Sequence, residues 1–108
     1  MTEIFHIADR RIWETTRAAG VPYTMSTRDL TLDQEGFIHC SADEGQVRGV
    51  LDRFYQGVDD QLVLLVIDPA KLTSELRHEP ADGQVFPHVY GPLNLDAVIE
   101  VRPLPETR

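Results

Sequence analysis

Five apolar residues, Val47, Val50, Leu51, Phe54 and Tyr55, recur at helical spacing with polar residues between them. That period predicts an amphipathic helix laid against a core. Ser41-Ala42-Asp43-Glu44 precedes it and reads as a capping box, with Ser41 at the N-cap and Glu44 at N3; Gly57 marks the end. The pattern then changes. Leu62 to Ile67 is an unbroken aliphatic run with no alternation, as expected of a central strand covered on both faces.

The remaining elements follow from shorter signals. Ile4-Phe5-His6-Ile7 predicts a first strand with His6 on the face opposite Phe5 and Ile7. Asp9 is an N-cap for a helix from about Arg10 to Ala19, with Ile12, Trp13, Thr16 and Ala19 near one stripe and Gly20 closing it. Thr24 to Glu35 shows no period and reads as a surface loop anchored by Met25 and Leu30. Gly36 to Cys40 is a second strand, and Asp68 to Leu72 a capped turn with Pro69 at N1. Leu76 to Glu79 alternates, and Pro80-Ala81-Asp82-Gly83 reads as a turn, so residues 76–86 predict a hairpin. Leu95-Asp96-Ala97 leads into a last strand, Val98 to Val101, and Pro103 and Pro105 end regular structure. Two main helices and about six short strands, crowded into the second half, predict an α+β fold with a mostly antiparallel sheet. We expect one domain over residues 1–108, with a core of about 3–102 and a loose tail at 103–108.

Charge narrows the partners. A net charge of −8, with only ten scattered basic residues, argues against a long nucleic acid. It leaves room for a small anion held by backbone N–H groups and one arginine. A single cysteine forms no internal disulfide and fits a reducing cytosol. The first residues carry no leader pattern, and no apolar run is long enough for a bilayer. The expectation is a cytoplasmic protein without a membrane partner.

The candidate chemistry lies on two strands. In Phe86-Pro87-His88-Val89-Tyr90-Gly91-Pro92-Leu93, alternation puts Phe86, His88 and Tyr90 on one face before a Gly-Pro turn where backbone can approach closely. In Gly36-Phe37-Ile38-His39-Cys40-Ser41, the residues Phe37, His39 and Ser41 share a face. The chain reads as built to bring these two polar faces together, with imidazoles and hydroxyls able to bind a ribose or a phosphate. Ordinary roles compete: histidines bonded to backbone at a sheet edge, Ser41 as a helix cap, Tyr90 as a core aromatic. His6 joins the candidates, His78 reads as exposed, and Cys40 as a small core residue. Arg77 and Glu79 read as a surface ion pair, with Glu79 also able to face a ligand before the turn. Three histidines and a carboxylate would suffice for zinc, but no close pair of the His-x-x-x-His kind exists, so no metal is expected. No P-loop, G-x-G-x-x-G or G-x-S-x-G motif is present.

Together, Ile4-Phe5-His6-Ile7, Glu35 to Ser41, Leu62 to Leu72 and the Phe86-to-Leu93 block resemble a family of small bacterial proteins, domain-of-unknown-function family nine-five-two. The resemblance runs from about Glu3 to Leu104. That family is grouped with the ADP-ribosyltransferase-like fold, near the tRNA 2′-phosphotransferases. The resemblance implies a split β-sheet with a nicotinamide-dinucleotide cleft between its halves. It implies that His6 contacts a ribose or the nicotinamide side, and that His39 or Ser41 lines the cleft. His88 and Tyr90 stand where such folds often carry a catalytic Glu. Arg28 and Arg77 are the arginines it offers for a phosphate.

The lead expectation is therefore a domain that binds NAD or an ADP-ribose-containing small molecule, with His6, His39, Ser41, His88 and Tyr90 as binding residues. In a transferase or hydrolase of the ribosyl group, His39, His88 and Tyr90 would be catalytic. The alternatives are a non-enzymatic module for a small anionic metabolite and a metal-assisted hydrolase using His6, His39 and His88.

Overall fold

The computed structural model describes residues 2–57 and 61–104. Its centre is the aliphatic run. Strand β5 (Leu62–Ile67) is buried along its whole length. It lies between β1 (Ile4–Asp9) and β8 (Val98–Pro103), antiparallel to both. Alternation sends Val63, Leu65 and Ile67 into a cluster with Trp13, Ile38, Val89 and Leu93. Leu64 and Val66 enter a second cluster with Phe5, Ile7, Val47 and Tyr55. A strand with a core on each face has no use for polar positions, which explains the missing alternation.

Helix α1 (Arg10–Ala19) starts where expected: the Asp9 carboxylate accepts the Ile12 N–H at 3.0 Å, and Gly20 closes the helix in the left-handed region. The expected apolar stripe shrinks to Trp13, because Ile12 and Ala19 face solvent and the Thr16 hydroxyl donates to the Ile12 carbonyl.

The segment read as a loop is built. It holds β2 (Met25–Thr27), β3 (Leu30–Thr31) and the single-turn helix α2 (Leu32–Glu35). A Thr31–Gln34 capping box starts that turn, a signal present in the sequence and unused in the reading above. Buried Ser26 ties the segment down by donating to the Phe37 carbonyl. The second strand is correspondingly short, β4 (Ile38–His39).

Helix α3 (Glu44–Phe54) corrects the expected cap. Asp43 accepts the Gln46 N–H at 2.8 Å, and Ser41 is no cap. The reason is tertiary. The Ser41 main chain pairs with Phe5, with N–H···O distances of 2.7 and 2.8 Å, so residue 41 is held extended and the helix begins later. Val47 and Tyr55 are buried as the period predicts, but Phe54 is exposed.

The predicted hairpin is formed by β6 (Glu75–Ala81) and β7 (Gln84–Tyr90). Its turn is tighter than expected. Pro80 and Ala81 stay in the strand, and Asp82 and Gly83 make the bend with φ of 52° and 78°. Two consecutive left-handed residues match the twist of the strands they join. The last strand likewise outruns its expected end. Pro103 pairs opposite Val63, while residues 105–108, most of the expected loose tail, lie outside the described residues.

The architecture is α+β, with three helices and mostly antiparallel sheets among the described residues. Strands β1, β5 and β8 form one sheet, β4, β7 and β6 a second, and β2 and β3 a ribbon. The Phe5–Ser41 bridge joins the first two sheets. Among the described residues, no helix is long and apolar enough to cross a membrane.

Candidate functional site

A cleft of about 450 Å³ opens where those two sheets meet. Its wall includes His6, Ser41, His39, His88, Arg28 and Phe54. That volume is in the range of small-molecule sites. The two polar strand faces do come together: in the β4–β7 pairing His39 stands directly opposite His88, with ring centroids 5.2 Å apart.

Each imidazole is held by its own carboxylate. His88 Nδ1 lies 2.8 Å from Glu79 Oε1. A carboxylate only accepts, so Nδ1 carries the proton and the neutral ring keeps its lone pair on Nε2. The ring is buried and stacked on Phe37 at 4.1 Å. Among the described residues, its Nε2 is buried and has no hydrogen-bond partner. His39, half-exposed, places Nε2 3.1 Å from Glu35 Oε1.

Glu79 also accepts the Tyr90 hydroxyl at 2.5 Å. The Tyr90 bond first, then the His88 bond, hold the Glu79 carboxyl below the usual carboxylate range. The same Glu79 bond raises the Tyr90 phenol. Tyr90 therefore backs up Glu79 from behind the cleft wall and is not itself part of that wall. The Arg77 guanidinium covers the Tyr90 ring at 4.3 Å and pairs with Glu75 at 3.0 Å. In place of the expected Arg77–Glu79 ion pair, Arg77 pairs with Glu75, and Glu79 bonds to His88 and Tyr90. His78 is exposed, as expected.

His6 lines the cleft, yet both its ring nitrogens are used inside the protein. Nδ1 donates to the His39 carbonyl at 2.5 Å, and Nε2 takes the Tyr23 hydroxyl at 3.2 Å. Burial drives its pKa down to about 4, against the opposing effect of the backbone bond. This neutral imidazole fixes the position of β4. The reading of His6, His39 and His88 as a metal triad fails on the same ground: His6 has no nitrogen to offer. Among the described residues, no three His, Cys, Asp or Glu groups are placed to hold a metal ion. Cys40 is a buried core residue whose thiol burial pushes up to about 12, far from a working nucleophile. Ser41 lies on the cleft wall with its main chain locked to Phe5.

The sequence reading missed Glu35 and Glu79 as imidazole partners, and Phe54 as a cleft residue. Arg28, offered for a phosphate, does line the cleft; Arg77 does not.

The model of a family described as "Protein of unknown function (DUF952)" matches residues 7–101. No curated protein matches the chain. Among solved structures, the crystal structure of protein CC0527 from Caulobacter crescentus is similar, with TM-score 0.77 and 29% identity, covering 96% of this chain and 87% of that one. The solution NMR structure of the same Caulobacter crescentus protein gives TM-score 0.73 and 30% identity, covering 96% and 85%.

Proposed function

This chain belongs to the DUF952 family, and we propose that its cleft binds a ribosyl nucleotide: NAD or an ADP-ribose-containing small molecule. One observation carries the reading. His88 lines a cleft of ligand size, and among the described residues its buried Nε2 has no hydrogen-bond partner. Buried polar atoms are almost always bonded, and leaving one unmade costs about 1–3 kcal/mol. A ligand hydroxyl supplies the donor. His39 beside it gives a second polar contact, which suits the adjacent hydroxyls of a ribose. The split between two sheets, with the cleft at their junction, is the arrangement expected of an ADP-ribosyltransferase-like fold and supports a nucleotide over other hydroxylic ligands. The lone buried thiol suits a cytosolic home.

In its catalytic form this reading makes His88 a general base held by Glu79. It takes the proton of a water or acceptor hydroxyl as that oxygen attacks ribose C1′. The bond to the nicotinamide nitrogen breaks through an oxocarbenium-like state, and nicotinamide leaves as a neutral base. Half-exposed His39 passes the proton to solvent. Binding without turnover is the second reading, and one observation favours it. The cleft carboxylates Glu35, Asp29 and Asp82 each pair with a basic residue, His39, Arg28 and Arg53. None of them is left to face C1′.

Thermal unfolding with NAD, ADP-ribose and a nucleotide panel tests the proposal. A ligand at 100 times its Kd adds about 2.7 kcal/mol, which raises the midpoint by on the order of 10 °C. We expect that shift with NAD or ADP-ribose, and its loss in His88→Phe. No shift with any of these ligands overturns the nucleotide reading. Chromatographic detection of released nicotinamide then separates turnover from binding.

A further inference from the structure

The cleft has two chemically different ends, and the outer one is not explained by the histidines. Phe54 ends helix α3 with 53% of its surface exposed, and Leu30, also on the cleft wall, is 36% exposed. Large apolar side chains left in water at the mouth of a polar-floored cleft are a contact surface for something flat and apolar. Phe54 is also held in place. The Arg53 guanidinium lies 5.4 Å over its ring and is itself tied at 3.3 Å to Asp82, in the β6–β7 turn.

A second cation reaches the end of the same helix. Arg28 Nη1 donates to the Phe54 carbonyl at 3.4 Å. The β2–β3 turn is thereby clasped to the end of α3. Arg28 has a loose ionic partner, Asp29 at 3.7 Å, and about half of its side chain is in solvent. The cleft wall thus includes the Phe54 ring and the Arg28 guanidinium, held together through the Phe54 carbonyl, along with the imidazoles.

We infer that Phe54 and Arg28 form an outer subsite, in which a flat heterocyclic base stacks on Phe54 and the adjoining phosphate pairs with Arg28. This rests on the reading of the cleft as a nucleotide site and gives the bound ligand a direction, with a ribose at His88 and His39 and the base outward. It makes Phe54 and Arg28 the residues that separate nucleotides from plain sugars.

Calorimetric titration of the intact chain with ADP-ribose tests this, using Phe54→Leu, Phe54→Trp, Arg28→Gln and His88→Phe. Both Phe54 and Arg28 are exposed, so unchanged unfolding midpoints without ligand confirm intact folds. Stacking on an aromatic predicts about tenfold weaker binding in Phe54→Leu, with affinity kept in Phe54→Trp. Phosphate pairing predicts that Arg28→Gln binds more weakly at low salt and loses much of the salt dependence of the wild-type protein. Wild-type affinity in both Phe54→Leu and Arg28→Gln, with binding lost in His88→Phe, overturns the outer subsite and leaves the cleft reading standing. Wild-type protein that binds neither ADP-ribose nor NAD in the same titration overturns both.

Discussion

One oxygen of Glu79, Oε1, lies 2.8 Å from His88 Nδ1 and accepts the Tyr90 hydroxyl at 2.5 Å as well. The hairpin register sets this up: Glu79 pairs opposite Phe86, and Arg77 opposite His88, so side chains 75, 77 and 79 share a face with 86, 88 and 90. The contact holds the His88 ring, whose Nε2 has no hydrogen-bond partner among the described residues.

Removing that carboxylate frees a phenol. All three tyrosines are raised, Tyr23 and Tyr55 by burial first, and Tyr90 by the Glu79 bond first. Spectrophotometric titration of wild-type protein therefore shows no tyrosine ionising near the ordinary value of about 10. In Glu79→Gln one tyrosine moves back toward it. An unchanged titration curve in that variant would contradict the Tyr90–Glu79 contact.

Glu79 also gives the protein an acid limb. Its folded pKa is depressed, so its contribution to stability is present above the unfolded value and lost as pH falls through the folded one. The window opens below about pH 4.3. Glu79→Gln has a flatter stability profile there, measured by urea midpoints at successive pH values. Equal slopes for both proteins count against it.

His6 acts in a higher window with the same sign. Its pKa falls from 6.5 to about 4 on folding, so the unfolded chain takes up the proton first. Stability is full above pH 6.5 and declines toward pH 4, by on the order of 3 kcal/mol. His6→Gln, which keeps a donor and an acceptor, lacks this decline. Nitrogen-15 spectra of the wild-type imidazole show a neutral ring protonated on Nδ1 at pH 5; a charged ring at that pH refutes the assignment.

His88→Phe separates function from stability. The phenyl ring keeps the stack on Phe37, gives up the Nδ1 bond to Glu79 and removes Nε2, which has no partner among the described residues. Loss of the Glu79 bond costs about 1.5–3 kcal/mol, offset in part by removal of the unsatisfied Nε2, while nucleotide binding is lost. Nucleotide affinity kept in a folded His88→Phe protein would remove His88 from the binding site.

Gly91→Ala tests the turn after Tyr90. A Cβ there would sit 2.5 Å from Ser74 Oγ and 2.9 Å from Ser74 Cβ, at a φ of 156°. Ser74 is fixed by its hydroxyl bond to the Pro92 carbonyl at 2.7 Å, so it cannot swing aside freely. We expect a loss of about 1–3 kcal/mol. A second substitution, Ser74→Gly, restores part of it; no loss in Gly91→Ala would refute the close approach.

Much of this was legible in the sequence because it is local. The helical period of Val47 to Tyr55, the run Leu62 to Ile67, the Asp9 cap and the alternation through His39 and His88 each lie within about ten residues. Alternation alone placed the two histidines on cleft-facing strand faces, since side-chain direction in a strand has a period of two. Other features depended on partners far along the chain. Ser41 lost its cap role to Phe5, and His6 was claimed by Tyr23 and the His39 carbonyl. Glu79 shows how little can separate the two cases. A turn at Pro80 to Gly83 sets Glu79 opposite Gln84, whereas the tighter bend at Asp82 and Gly83 moves it opposite Phe86, next to His88. Shifting register by two keeps every residue on its own face. The faces were therefore fixed by sequence alone, while the pairing that gives His88 its carboxylate came only from tertiary contacts.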